Sequence, residues 1–203
     1  MMATTHGLAG VALGAGISVV APDLGHAVVL AGAAGGVFPD LDLYAGHRKT
    51  LHFPVYYSAM AAVAAVGAAL VTTPLTAAVA VFLAAAALHS ISDVAGGGLE
   101  LKPWLGTSQR AVYSHFHGRW IAPKRWVRYD GSPEDLVLAS WLALPGVALL
   151  DGPLRLAVLG ALAVSATYVL VRKPLVDVAE RIVTGLPAEV VGYLPERFVE
   201  DFR

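Results

Sequence analysis

Seven side chains suited to metal or acid–base chemistry fall in four short stretches: His6; Asp40 and Asp42; His47 and His52; His89 and Asp93. His89 and Asp93 are spaced i, i+4, so on a helix both project from one face and reach one cation. Phe38–Pro39–Asp40–Leu41–Asp42 presents two carboxylates at the end of an apolar run, and His47 and His52 follow within a short loop. Imidazole with carboxylate, and no thiolate, suits zinc, manganese or iron. Two or more acids among four histidines also suit a binuclear site, whose ions clamp the attacking and leaving oxygens of a hydrolytic displacement. A carboxylate outside the ligand set would orient the nucleophilic water or a ligand histidine. Arg48 suits an anionic leaving group, and equally a membrane-surface anchor.

Taken singly, each residue has a plainer reading. His89 near a helix end packs or hydrogen-bonds, Asp40 and Asp42 cap a turn, and His47–Arg48–Lys49 forms a solvated loop at the lipid headgroups. His26 lies in a helix with no partner in view, and His115 and His117 lie in a polar loop. The joint pattern is harder to assign to structure alone. Separate segments bring ionisable groups to one depth of a membrane domain, where burial is costly unless the group has a partner or a task.

The elements that position them are apolar to an extent that excludes a soluble domain. The 203 residues are 57% hydrophobic and 14% charged, against roughly 25% charged in ordinary globular chains. No Asp, Glu, Lys or Arg occurs between Thr50 and Ser92, and Asp23 is the one such residue from Met1 to Pro39. A soluble helix needs a polar outer face; these have none, so lipid is the expected solvent. A bilayer core of about 30 Å takes roughly 20 apolar helical residues. Phe53–Val71 and Leu75–Val94 fit, separated by Thr72–Thr73–Pro74. Leu136–Leu150 and Leu154–Val171 form a second hairpin about Asp151–Gly152–Pro153. Leu8–Val20 and Leu24–Phe38 form a shorter pair, with Pro22 near the start of the second helix, where proline is tolerated. The expected fold class is therefore all-α: a polytopic membrane bundle of about six hydrophobic helices. Residues 1–172 form one transmembrane domain with a polar loop at 96–135. Residues 173–203 form a tail, with Leu175–Val183 as an amphipathic surface helix that starts at Pro174.

Charge orients this layout. With six spans, the turns at Ala21–Asp23, Thr72–Pro74 and Asp151–Pro153 share one side, and the loops around 40–50 and 96–135 share the other with both termini. Thirteen of the fourteen Lys and Arg residues lie on that second side, Arg155 being the exception. Positive residues mark the cytoplasmic face. The expected location is the cell membrane, multi-pass, with both termini and all seven polar residues on the cytoplasmic side. A net charge of −1 provides no field for nucleic acid; membrane lipids are the expected partners. Cysteine is absent, which removes thiol nucleophiles and Cys-type zinc sites. Gly10/Gly14 and Gly32/Gly36 have the small-xxx-small spacing of closely packed transmembrane helices.

Thr5–His6, Phe38–Pro39–Asp40–Leu41–Asp42, His47–Arg48–Lys49–Thr50–Leu51–His52, His89–Ser90–Ile91–Ser92–Asp93 and Leu101–Lys102–Pro103 together resemble the YdjM-like membrane-bound metal-dependent hydrolases. The resemblance covers roughly residues 5–105. Ala111–Val112–Tyr113 and the stretch Trp126 to Gly131 resemble an archaeal-type branch of that family. The Gly and Ser of the family's His-Arg stretch are missing. The resemblance implies a hydrolase whose metal ligands are His6, Asp40, Asp42, His52, His89 and Asp93, with zinc the leading ion. It adds His47 to the motif and, with Asp42 and Arg48, to the catalytic candidates. The family is distantly similar to zinc-dependent phospholipase C and related zinc nucleases, which implies cleavage of a phosphoester or lipid-headgroup bond.

Two other functions fit the same residues. A metal-ion or small-solute transporter is disfavoured because transporter sites lie near the bilayer midplane, whereas these residues sit at helix ends, with no polar group between Thr76 and His89. A non-catalytic scaffold would use metal only to pin helix ends together, and its ligands would look the same. An intramembrane zinc protease is disfavoured by the lack of a His-Glu-x-x-His stretch.

Overall fold

The structure, a computed structural model, describes residues 1–193. It is a bundle of α1 (Ala3–Val20), α2 (Gly25–Val37), α3 (Pro54–Leu70), α4 (Pro74–Ser92), α5 (Pro133–Leu149) and α6 (Gly152–Gly185). A single helical turn, α7 (Ala188–Val191), follows. All six expected hydrophobic helices form. Prolines open α3, α4 and α5, where the missing N–H has no intrahelical partner to lose. Thr73 and Thr76 close a reciprocal cap on α4, and Ser132 Oγ accepts from the Asp135 N–H at the start of α5.

Four segments are long and apolar enough to cross a membrane: Ala3–Val20, Pro22–Tyr44, Pro74–Ala95 and Gly152–Gly185. Pro54–Leu70 is a shorter apolar helix. The bundle turns large apolar side chains outward, with Leu70 80% and Leu170 77% exposed, while Asp42, His52, His89 and Asp93 are at most 1% exposed. Water as solvent would make that distribution unfavourable in both places. Lipid removes the first cost, and paired polar groups remove the second.

α1 lies at the centre, packed on α2, α4, α5 and α6; α2 also packs on α4, and α3 packs on α4. The α1–α2 crossing is close because Gly10 and Gly32 meet backbone to backbone: a Cβ on either would collide with the other's carbonyl oxygen. This is the approach that small-xxx-small spacing permits. Gly36 does the same against the His6 carbonyl.

Two elements differ from the sequence-based expectation. There is no separate helix starting at Pro174; α6 runs unbroken from Gly152 to Gly185 with Pro174 inside it. A proline mid-helix removes one hydrogen bond and crowds the preceding turn, but extending an established helix is far easier than nucleating a new one. At about 1.5 Å per residue its 34 residues reach roughly 51 Å, longer than the hydrocarbon core. The boundary expected at residue 172 therefore falls inside a helix, and Arg197 and Arg203 of the expected tail lie outside the described residues. Second, the loop at 96–135 carries an antiparallel hairpin, β1 (Val112–Ser114) with β2 (Arg119–Ile121). It grips the His47–His52 loop: the Tyr113 N–H donates to the Arg48 carbonyl and His115 Nε2 to the Lys49 carbonyl.

Candidate metal centre

The helix ends converge at one end of the bundle. A 3₁₀ segment, Phe38–Tyr44, continues directly from α2 and brings Asp40 inward. His89 comes from the last turn of α4 and Asp93 is the residue that caps it, still helical in backbone, so their i, i+4 spacing places both on one face. His52 arrives from the loop before α3. One ligand atom from each of Asp40, His52, His89 and Asp93 lies within 4.8 Å of all the others.

Three of the separations match those of a coordination shell. Asp93 Oδ2 is 3.4 Å from both His52 Nε2 and His89 Nε2, and Asp40 Oδ1 is 3.4 Å from His89 Nε2 and 4.0 Å from His52 Nε2. Four ligands each about 2.0–2.1 Å from a tetrahedral zinc ion would stand about 3.3 Å apart. The donors are two imidazole nitrogens and two carboxylate oxygens, a set suited to zinc, manganese or iron.

The orientation of the two imidazoles is imposed from behind. His89 Nδ1 is 2.6 Å from the Gly36 carbonyl, and His52 Nδ1 is 3.0 Å from Asp42 Oδ2. Carbonyl and carboxylate oxygens only accept, so both Nδ1 atoms carry hydrogen. In the neutral rings both Nε2 atoms then direct lone pairs into the site, 3.1 Å from each other. Two facing Nε2 atoms flanked by two carboxylates constitute a cation-binding arrangement, in which a metal ion would take the place of the Nε2 protons. His52 lies outside the membrane-spanning segments. Burial pushes its pKa down, but hydrogen bonds to Asp42 and Asp93 outweigh that and hold it above the usual 6.5.

The remaining sequence candidates surround this group. Asp42 stands one layer behind it, with Oδ1 accepting from His47 Nδ1 and the Arg48 N–H, and Oδ2 from His52 Nδ1 and the Leu51 N–H. Both its oxygens are occupied in shaping the loop, and a carboxylate so placed fixes ligand tautomer and ring orientation. His6 stacks on His89 with ring centroids 3.7 Å apart, and its Nε2 donates to Asp93 Oδ1 at 3.0 Å. The Met1 amino group donates to the same oxygen at 3.0 Å. Asp93 is thus held through Oδ1 and offers Oδ2 to the group.

His47 sits on the outer side of Asp42, its side chain 28% exposed. Arg48 is buried, with a left-handed backbone (φ 59°). Its Nη1 donates to the Gly97 carbonyl at 2.8 Å and its Nε lies 3.5 Å from Asp93 Oδ2. His115 and His117 are not in the group; they hold the hairpin, His117 through Ser114. His26 is an exposed residue of α2.

A cleft of about 680 Å³ opens beside the group, with Asp40, His47, Arg48, Asp130, Tyr168 and Arg172 among its lining. The last three were not anticipated from sequence. Arg172 Nε and the Tyr168 hydroxyl both donate to Asp130 Oδ2, at 2.8 and 2.6 Å. Burial raises the Asp130 pKa, but Arg172 and Tyr168 outweigh it and hold the carboxyl below its usual 3.8. The available signal was an Arg at the end of an apolar helix, which charge counting explains equally well as an anchor. Gly36 was likewise hidden, because it acts through its carbonyl.

Comparison with family models, with curated proteins and with solved structures returns no match. The chain is therefore described by its own geometry: an all-α, membrane-type helical bundle with a buried Asp/His/His/Asp group able to hold a divalent metal.

Proposed function

We propose that this chain is a metal-dependent membrane hydrolase that cleaves a phosphoester or lipid-headgroup bond at the cytoplasmic surface. The observation that carries the reading is the convergence of His52 Nε2 and His89 Nε2, 3.1 Å apart, between Asp40 and Asp93. A divalent ion bound there, zinc first among the candidates, supplies Lewis-acid activation of water and of the scissile oxygen. The protein's own contributions follow from its contacts. Asp42 orients His52. Asp40, with its side chain 20% exposed, is the ligand that faces the cleft. His47 is the half-exposed imidazole at its rim, suited to proton transfer. Arg48 places a guanidinium beside Asp93, suited to an anionic oxygen. Membership of the YdjM-like hydrolases belongs to the same proposal and rests on the motifs. The cytoplasmic placement rests on the Lys and Arg bias.

Metal analysis of purified protein tests the reading. About one or two equivalents of zinc or manganese are expected, lost in the His89→Ala/Asp93→Ala double variant, with chelator-sensitive hydrolysis of bis(p-nitrophenyl) phosphate or a phospholipid. Metal retained in the double variant would overturn the site. The scaffold reading is favoured by one observation, the near-complete burial of His52 and His89. Bound metal without turnover on any substrate, together with a lower unfolding temperature on chelation, would establish it instead.

A further inference from the structure

A second void lies next to the cleft and has a different character. It has a volume of about 360 Å³ and runs along α1 between α2 and α6. Its walls include Gly7, Val11, Leu30, Ala33, Ala157 and Ala161, and Thr4 is the one residue with a polar side chain among those lining it. The two voids share Ala3, Thr4 and Val37 as walls, so the apolar groove adjoins the polar cleft that Asp40 lines. From Ala3 to Val11 the groove follows nine residues of α1, eight steps or about 12 Å at 1.5 Å per residue, from the end that carries the candidate site into the bundle.

Sequence explains why the groove stays open. Gly7, Ala33, Ala157 and Ala161 project at most a methyl group into it, so α6 packs on α1 and α5 and leaves a wedge towards α2. Leu30 is 56% and Val37 37% exposed along its edge, facing the solvent of a membrane protein. Water in such a slot would have almost no hydrogen-bonding partner. A hydrocarbon chain satisfies the walls and is the material that surrounds this surface. The cleft supplies the complementary end. Arg48 and Arg172 line it with Asp40, Asp130 and Glu100. The carboxylates offset the guanidiniums, so the attraction for an anion would come from a cation held by Asp40, His52, His89 and Asp93, with the arginines as directional donors.

We propose that the substrate is a phospholipid bound with one hydrocarbon chain in the groove between α2 and α6 and its phosphate in the cleft beside Asp40. This rests on the hydrolase reading and narrows it from phosphoesters in general to membrane lipids. The geometry requires the lipid to enter sideways from the bilayer, between α2 and α6, without leaving the membrane. It also divides recognition into a metal-dependent part for the headgroup and a metal-independent part for the chain.

The experiment uses the full-length protein in nanodiscs containing phosphatidic acid with a photoreactive diazirine in the middle of one acyl chain. Cross-links mapped by mass spectrometry are expected on Val11, Leu30, Ala157 and Ala161 at several times the level on the lipid-facing Val63 and Leu70 of α3. Ala33→Phe or Ala157→Phe should lower groove labelling at least fivefold with metal content unchanged, whereas Leu156→Phe, outside the groove, should leave it unaltered. Labelling spread evenly over the outer faces of the bundle, or unmoved by both Phe variants, would overturn the proposal. Wild-type mapping needs no variant to fold, so it stands alone if one does not. Hydrolysis of bis(p-nitrophenyl) phosphate, which has no acyl chain, reports separately on the hydrolase. Turnover of that ester with even labelling defeats the groove and leaves the hydrolase; groove labelling without turnover of any ester does the reverse.

Discussion

His52 and His89 face each other across 3.1 Å through their Nε2 atoms, and each is turned there by an acceptor bound to its other nitrogen, Asp42 Oδ2 for one and the Gly36 carbonyl for the other. The two rings come from a loop and a helix 37 residues apart, and the orienting groups come from a third segment. A pair held this way is pre-set for a divalent ion, which would limit the ordering required on binding.

Asp42 is expected to act on metal affinity through ring orientation. Asp42→Asn should weaken zinc binding about 10- to 100-fold, the range for loss of an orienting partner, without changing the number of ions bound at saturation. Competition with a chromogenic chelator measures this. Loss of stoichiometry in place of affinity would make Asp42 a direct ligand.

The raised pKa of His52 sets a pH dependence of defined sign. Because the folded-state value lies above 6.5, protonated His52 adds stability to the metal-free protein that is fully present below pH 6.5 and fades as pH rises through the folded value. Metal competes with that proton, so zinc affinity should move the opposite way, rising with pH over the same window. Thermal melts of chelated and zinc-loaded protein between pH 6 and 9 should therefore diverge, and parallel curves would contradict the assignment.

Asp130 predicts a separate effect at acid pH. Its folded pKa is depressed, so its pairing with Arg172 adds stability above pH 3.8 that is lost as pH falls through the folded value. Asp130→Asn should remove about 1–3 kcal/mol at neutral pH. That is below the roughly 3–5 kcal/mol for breaking a fully buried pair, because the Asp130 side chain is 25% exposed. The variant's deficit should shrink below pH 4, as read from unfolding in detergent.

Gly36 connects packing to the site. A Cβ there would strike the His6 carbonyl, pushing apart α1 and the end of α2 whose carbonyl orients His89. Gly36→Ala should cost about 1–3 kcal/mol, as overpacking usually does, and lower zinc affinity at the same time. Gly67→Ala, which meets nothing within 4 Å, should be neutral to mildly stabilising, since alanine is the better helix former. A Gly36→Ala protein with normal zinc affinity would separate helix packing from the metal group.

The sequence by itself determined the membrane character and the helices. A charge-free run such as Thr50 to Ser92 has one favourable solvent, and the helices begin within a few residues of where the apolar runs do, at Pro54, Pro74 and Pro133. It also determined that His89 and Asp93 share a face, because that is a property of helical spacing. Tertiary structure decided which polar residues converge as the candidate metal group and which stand behind it. Asp40 and Asp42 are two positions apart and chemically identical, yet the 3₁₀ turn sends Asp40 to the group and Asp42 to the back of His52. The contribution of the Gly36 carbonyl, the continuity of α6 through Pro174, and the Asp130–Tyr168–Arg172 wall of the cleft also emerged only in three dimensions. The first and last depend on contacts between segments distant in the chain, where spacing along one element carries no information about which neighbour will stand opposite; the second depends on helix propagation outweighing the local cost of a proline.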